Sequence, residues 1–122
     1  MRLKNVLLVV EDIERSKAFY KELFGLEVLR DFGTNVILTE GLVLQERKAW
    51  EQTVSGTVWY GGKSSELYFE TYDLEAFQGK LDERGDSIVY LNRLTTYEWG
   101  QKCIRIYDPD KHMIEIGEVP PS

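Results

Sequence analysis

The chain has 122 residues, 43% of them hydrophobic and 30% charged, with a formal net charge of −6. That length suits one domain with a real core, and no apolar run approaches the ~20 residues of a bilayer span, which argues against a transmembrane helix. The acidic balance argues against nucleic acid and anionic membrane as partners, because phosphate binding needs a basic surface, and a single cysteine and a single histidine exclude an internal disulfide and any multi-cysteine zinc site.

Residues 5–10, NVLLVV, read as a first strand. The apolar run is too short for a signal sequence and meets charges with no small-residue cleavage site, so a cytoplasmic protein is expected. A helix follows in EDIERSKAFYKELFGLEVL, with Asp12 as N-cap and Gly25 just past its end. Aspartate accepts from the free N–H groups of the first turn, and glycine takes the left-handed conformation beyond the last. Ile13, Phe19, Tyr20, Leu23 and Phe24 form its apolar stripe. Three strand candidates come next, LEVLR, NVILT and LVLQE, separated by the turn residues DFGT and EG.

A connector at about 47–64 has a possible helical turn, two tryptophans and paired glycines. The pattern then repeats. ELYFET reads as a strand, and a helix runs from the cap Asp73 to Gly85, striped by Leu74, Phe77 and Leu81. SIVYL, QKCIRIY and HMIEIG complete it, with DPDK as the last turn. The expected fold class is α+β, with β-α-β-β-β written twice: module one at about 1–46 and module two at about 65–119. Two half-domains that cannot close a core alone are expected to pack as one unit.

Strand parity adds detail, since alternate side chains face opposite ways. Ile114 and Ile116 share one face, and Glu115 points the other way. If Ile104 and Ile106 join the isoleucine face, Arg105 lies beside Glu115 and can pair with it. Tyr68 shares the facing of Glu66 and Glu70. Trp50, Trp59, Tyr60, Tyr97 and Trp99 are placed in connectors or near strand ends. Large rings there can stack a planar ligand, close the ends of the sheet or anchor a subunit contact. Carboxylates beside them suit a cationic guest. Cys103 reads as a small buried residue, and His112 as a turn or surface histidine.

The opening VEDIERSKAFYKELFGLEV, the ending YEWGQ…YDPDKHMIEI and the duplicated unit resemble the vicinal oxygen chelate superfamily, which includes glyoxalase I, bleomycin resistance proteins, fosfomycin resistance enzymes and extradiol dioxygenases. The resemblance implies an open, barrel-like mixed sheet with a concave ligand cleft, and a homodimer. In metal-using members the ligands come from the first and last strands of each module. Those positions fall on Asn5, Gln45 (or Glu46), Glu66 and Glu115. Both expected histidines are missing. The remaining oxygen donors would suit magnesium, calcium or manganese rather than zinc, nickel or iron.

The reading is therefore a small-molecule-binding protein without a transition metal, holding an aromatic or cationic ligand. No cofactor is expected, although a divalent metal is possible. The ligand-binding candidates are Trp50, Trp59, Tyr60, Tyr68, Glu70, Tyr97, Trp99, Arg105 and Glu115. The alternative is a metal-dependent lyase, isomerase or dioxygenase with the metal as Lewis acid. A bare carboxylate base, Glu66 or Glu115, and a partner-binding module without a small ligand are the other possibilities.

Overall fold

The structure is a computed structural model that describes residues 1–120. The chain divides into two compact units, Met1–Tyr60 and from Gly61 onward. Each contains one four-stranded mixed sheet, so β-α-β-β-β does occur twice.

In the first unit the elements are β1 (Val6–Val10), α1 (Ile13–Phe24), β2 (Val28–Asp31), β3 (Asn35–Leu38), β4 (Leu42–Glu46) and α2 (Arg47–Val54). The strand order is β1-β4-β3-β2, with β1 parallel to β4 and the other pairs antiparallel. The Asp12 carboxylate accepts from Arg15 N–H at 3.1 Å and starts α1. Gly25, at φ 70°, donates to the Lys21 carbonyl, and Leu26 donates to that of Tyr20. These bonds satisfy carbonyls that a helix end otherwise leaves bare. Phe19, Tyr20 and Leu23 are buried, as are Val36, Leu38, Leu42 and Leu44 of β3 and β4. Burying each such side chain contributes about 1.5–3 kcal/mol.

In the second unit the elements are β5 (Leu67–Thr71), α3 (Leu74–Asp82), β6 (Val89–Thr96), β7 (Lys102–Tyr107) and β8 (Met113–Glu118). The order is β5-β8-β7-β6, again with one parallel pair, β5 and β8. Ile104 stands opposite Ile116 and Ile106 opposite Ile114. All four are almost completely buried, and α3 packs against β7 and β8 with Leu74 and Leu81 buried. The parity reading of these strands is correct.

Three expectations need correction. The connector contains an eight-residue helix, α2, so Trp50 lies on a helix rather than in a loop. Helix α3 stops at Asp82, ahead of Gly85. Its end tightens: Arg84 N–H reaches back to the Leu81 carbonyl, and a 3-10 turn over Gly85–Ser87 follows. Finally, β6 runs on to Thr96, past the expected SIVYL segment. Pairing of Asn92, Thr95 and Thr96 with β7 carries the extension, and buried Gln78, a polar residue off the apolar stripe, meets the strand where its register shifts. Its Oε1 accepts from Leu94 N–H at 2.8 Å and its Nε2 donates to the Tyr90 hydroxyl at 3.0 Å. Register shifts at Tyr90/Asn92 and Asn92/Thr95 let the long strand stay paired while it bends.

Candidate functional site

The second sheet has one face of isoleucines under α3. Its opposite face carries the candidate polar and aromatic side chains. Tyr68 of β5 stands opposite Glu115 of β8, and Glu70 opposite Gly117. Across the other edge of β8, Arg105 stands opposite Glu115 and Cys103 opposite Gly117. Asn92 of β6 is paired with Arg105.

Glu115 is only 7% exposed. A carboxylate so buried is costly without a partner, and Arg105 supplies one. Its Nε donates to Glu115 Oε1 at 2.9 Å, and its Nη2 lies 2.9 Å from the same oxygen. Nη1 donates to Asn92 Oδ1 at 3.1 Å and to the Tyr97 hydroxyl at 2.6 Å. The guanidinium is thereby fixed in one orientation. The Tyr97 bond and the nearby charge of Glu115 raise the Arg105 pKa further above its ordinary value. Glu115 Oε2 takes no hydrogen bond from the described residues.

Tyr97 begins the turn between β6 and β7. Its N–H donates to the Gln101 carbonyl and its carbonyl accepts from Gly100 N–H, where the backbone sits at φ 92°. The turn stacks the Tyr97 and Trp99 rings in parallel, with centroids 4.8 Å apart. Trp99 Nε1 donates to Gln101 Oε1 at 3.0 Å, which pins an indole that is otherwise 72% exposed. Next to it is a hollow of about 530 Å³, walled by Tyr68 and Trp99 and edged by Glu70, Lys102 and Glu118. Lys102 Nζ approaches Glu118 at 3.9 Å, and Glu118 also accepts from Leu74 N–H at the start of α3. Glu70 makes no hydrogen bond or ion pair among the described residues. Burial, followed by the charges of Glu70 and Glu115, raises the Tyr68 pKa.

Six of the sequence candidates thus share one face of the second unit: Tyr68, Glu70, Tyr97, Trp99, Arg105 and Glu115. Trp50, Trp59 and Tyr60 belong to the first unit. Trp50 is half-buried on α2, Trp59 is 87% exposed, and Tyr60 donates to Glu11 at 3.3 Å. Glu11 is itself held by Arg47 at 2.6 and 2.8 Å. His112 lies in the final turn, where its backbone N–H donates to the Asp108 carboxylate. Cys103 is buried, with its sulfur 3.9 Å from the Tyr97 hydroxyl.

The four family metal positions have different surroundings. Asn5 and Glu66 are exposed and precede their strands. Gln45 Oε1 accepts from the Asn35 amide at 2.8 Å, and Glu46 ends β4 ahead of α2. Glu115 already holds a cation, Arg105. A divalent ion at Glu115 would sit against the guanidinium. Among the described residues no group of three or more His, Cys, Asp or Glu side chains converges. Asn5, Gln45, Glu66 and Glu115 offer oxygen donors, whereas zinc, nickel and iron favour imidazole or thiolate.

Sequence reasoning missed Asn92 and Gln101. The bulges around Asn92 break the alternation on which parity depends, and nothing in the local pattern marks it. Gln101 was legible only as part of YEWGQ.

The sequence matches the glyoxalase-like domain family over residues 3–119. The chain belongs to the glyoxalase-like family. It is thereby a member of the vicinal oxygen chelate superfamily, as the fold also indicates. This glyoxalase-like chain is 35% identical to a protein of unknown function from Agrobacterium tumefaciens str. C58, with 98% of this chain and 95% of that one covered and a TM-score of 0.83. A glyoxalase-related enzyme from Fulvimarina pelagi shares the fold at 21% identity, covering 98% and 88%, with a TM-score of 0.81. A glyoxalase/bleomycin resistance protein/dioxygenase family enzyme from Burkholderia phytofirmans PsJN does so at 19% identity, covering 98% and 100%, with a TM-score of 0.77. No match is found among curated proteins.

Proposed function

We propose that this glyoxalase-like chain is a small-molecule-binding protein that works without a transition metal and holds a planar aromatic or cationic ligand on the Tyr68–Trp99 face. The observation that carries this reading is the Arg105–Glu115 pair. In the position where the family places a metal-binding carboxylate, the negative charge is already balanced by a guanidinium that Asn92 and Tyr97 also hold. Tyr68 and Trp99 offer rings to a planar ligand, and the carboxylate of Glu70, which has no ion-pair partner among the described residues, favours a cation beside them. The same proposal takes residues 1–122 as one functional domain in a cytoplasmic homodimer. Among the described residues no helix is long and apolar enough to cross a membrane.

The test is calorimetric titration of the protein with proflavine, a planar aromatic cation, and separately with manganese, nickel, zinc and magnesium. Saturable proflavine binding that weakens in Glu70→Gln, together with no stoichiometric metal uptake, is the expected result. One equivalent of metal bound to the wild type and lost in Glu115→Gln would overturn the proposal in favour of a metal-dependent enzyme. Light scattering of the same samples checks the dimer.

A further inference from the structure

Gly117 lies inside β8, opposite Cys103 on one side and Glu70 on the other. It is not among the glycines with positive φ. Its backbone therefore admits any L-residue, and the reason for a glycine must lie in what surrounds it. A glycine within a strand commonly marks the close approach of another group. Here that group is Tyr68. A Cβ built on Gly117 would come within 2.8 Å of Tyr68 Cζ and 3.2 Å of its Cε2, and would overlap its hydroxyl oxygen outright. The phenol lies in the slot that the missing side chain leaves. Tyr68 also stands beside Glu115 in register and walls the hollow next to Trp99. It is half exposed, one side toward solvent and the other against β8.

We propose that Gly117 is a positioning residue whose missing side chain seats the Tyr68 phenol, and that the ring so held sets the size of ligand this face accepts. This rests on the binding function proposed above. With the phenol in its slot, neither Arg105 nor Glu115 lines the hollow, and the flat ligand proposed above sits between Tyr68 and Trp99. The added methyl of Gly117→Ala expels the ring toward Trp99 and narrows that space. Removal of the ring joins the hollow to the floor around Glu115 and admits a bulkier guest.

The experiment compares proflavine with ethidium, which carries an additional out-of-plane phenyl, on five proteins: wild type, Gly117→Ala, Tyr68→Phe, Tyr68→Ala and the double variant Tyr68→Ala/Gly117→Ala. The position of the ring is read independently by the nuclear Overhauser contact between the Tyr68 ring and the α-protons of Gly117, or the single α-proton at that position in Gly117→Ala. Gly117→Ala is expected to lose this contact and to weaken proflavine binding at least tenfold while remaining folded. Tyr68→Phe keeps the wall and should leave the ethidium-to-proflavine affinity ratio within threefold of wild type. Tyr68→Ala should raise that ratio at least tenfold, and adding Gly117→Ala to it should have no further effect, because the clash is gone. A contact that persists in Gly117→Ala overturns the positioning role whatever the ligands do. A lost contact with affinities within twofold of wild type overturns the specificity role. If neither dye binds the wild type, the binding function and the specificity role fall together, and the Overhauser contact still decides whether Gly117 seats Tyr68.

Discussion

Replacing Arg105 by methionine tests the site at its centre. Methionine retains much of the aliphatic stem and removes the charge. Three acceptors lose their donor at once: Glu115 Oε1, Asn92 Oδ1 and the Tyr97 hydroxyl. Asn92 and Tyr97 are partly exposed and can turn to water. Glu115 is buried, and its carboxylate is left without a counter-charge. Breaking a fully buried pair in this way costs about 3–5 kcal/mol. The Arg105 side chain is about a quarter exposed, so water can enter after it, and the expected loss is near the low end, about 3 kcal/mol. With a urea dependence of about 2 kcal/mol per molar, the unfolding midpoint should fall by about 1.5 M at pH 7. The double variant Arg105→Met/Glu115→Leu should recover most of that, since replacing a buried pair by apolar groups is often neutral. An Arg105→Met midpoint within about 0.3 M of wild type would refute the assignment of this pair as the main partner of a buried charge.

Glu115→Gln should fold, because the amide oxygen can still accept from Arg105, and Arg105 keeps Asn92 and Tyr97. Proflavine binding should stay within about threefold of wild type, because the hollow is not lined by Glu115; a tenfold loss, about 1.4 kcal/mol, measured by calorimetry, would mean that the ligand reaches the carboxylate. Asp73→Ala removes the bond to Ala76 N–H that starts α3 and should cost about 1 kcal/mol in urea unfolding; a change below about 0.3 kcal/mol would show that Glu118, which also reaches the helix start, suffices as the cap. Stability should also decline in alkali. The folded pKa of Tyr68 is raised, so above the ordinary tyrosine value the unfolded chain loses this proton before the folded one, and stability drains away as the pH rises toward the folded value. Tyr68→Phe should remove that part of the alkaline loss. The reverse holds for Glu11 and Asp31, whose pKa values are lowered by Arg47 and by Gly33 N–H with Lys17 respectively. Their contribution is present above the ordinary carboxylate range and is lost as the pH falls through the lower folded values, which an acid unfolding series would follow.

Much of the fold was legible because it rests on local rules. Asp12 and Asp73 announce their helices through a hydrogen bond three residues on, and Gly25 announces an end through a conformation that few other residues adopt. The alternation in QKCIRIY and HMIEIG predicts which residues share a face, and with it the Arg105–Glu115 pair. What escaped was decided by tertiary partners. Gln78 is buried because it has Leu94 and Tyr90 to bond, and no sequence window around it contains them. Asn92 faces Arg105 because bulges shift the register of β6. Trp50 reads as a connector residue because the RKAWEQTV segment has no side-chain cap; its N-cap residue, Glu46, makes no such bond. The slot at Gly117 was invisible for a simpler reason. A glycine in a strand reads as a weakness, and only the position of the Tyr68 ring shows that the space is used.

The Arg105–Glu115 pair bears on which ligand the proposed site would take. Glu115 is 7% exposed, and a carboxylate so buried is costly without a partner. Arg105, directly opposite in register on the neighbouring strand, supplies that partner. A metal offers open coordination positions and draws oxygen atoms in pairs. The guanidinium here is already occupied by Glu115, Asn92 and Tyr97, so it organises the floor of the site rather than attracting an anion to it. In the proposed binder, attraction comes from the rings and from Glu70, which makes no ion pair among the described residues. That combination would select for a flat, positively charged molecule by stacking and field rather than by chelation. Glu70→Lys reverses the charge at that one place and leaves the Arg105 network untouched. It should reduce proflavine affinity by more than tenfold and bring a planar anion of similar size closer to it in affinity; equal loss for both ions would mean that Glu70 shapes the wall and does not supply the field.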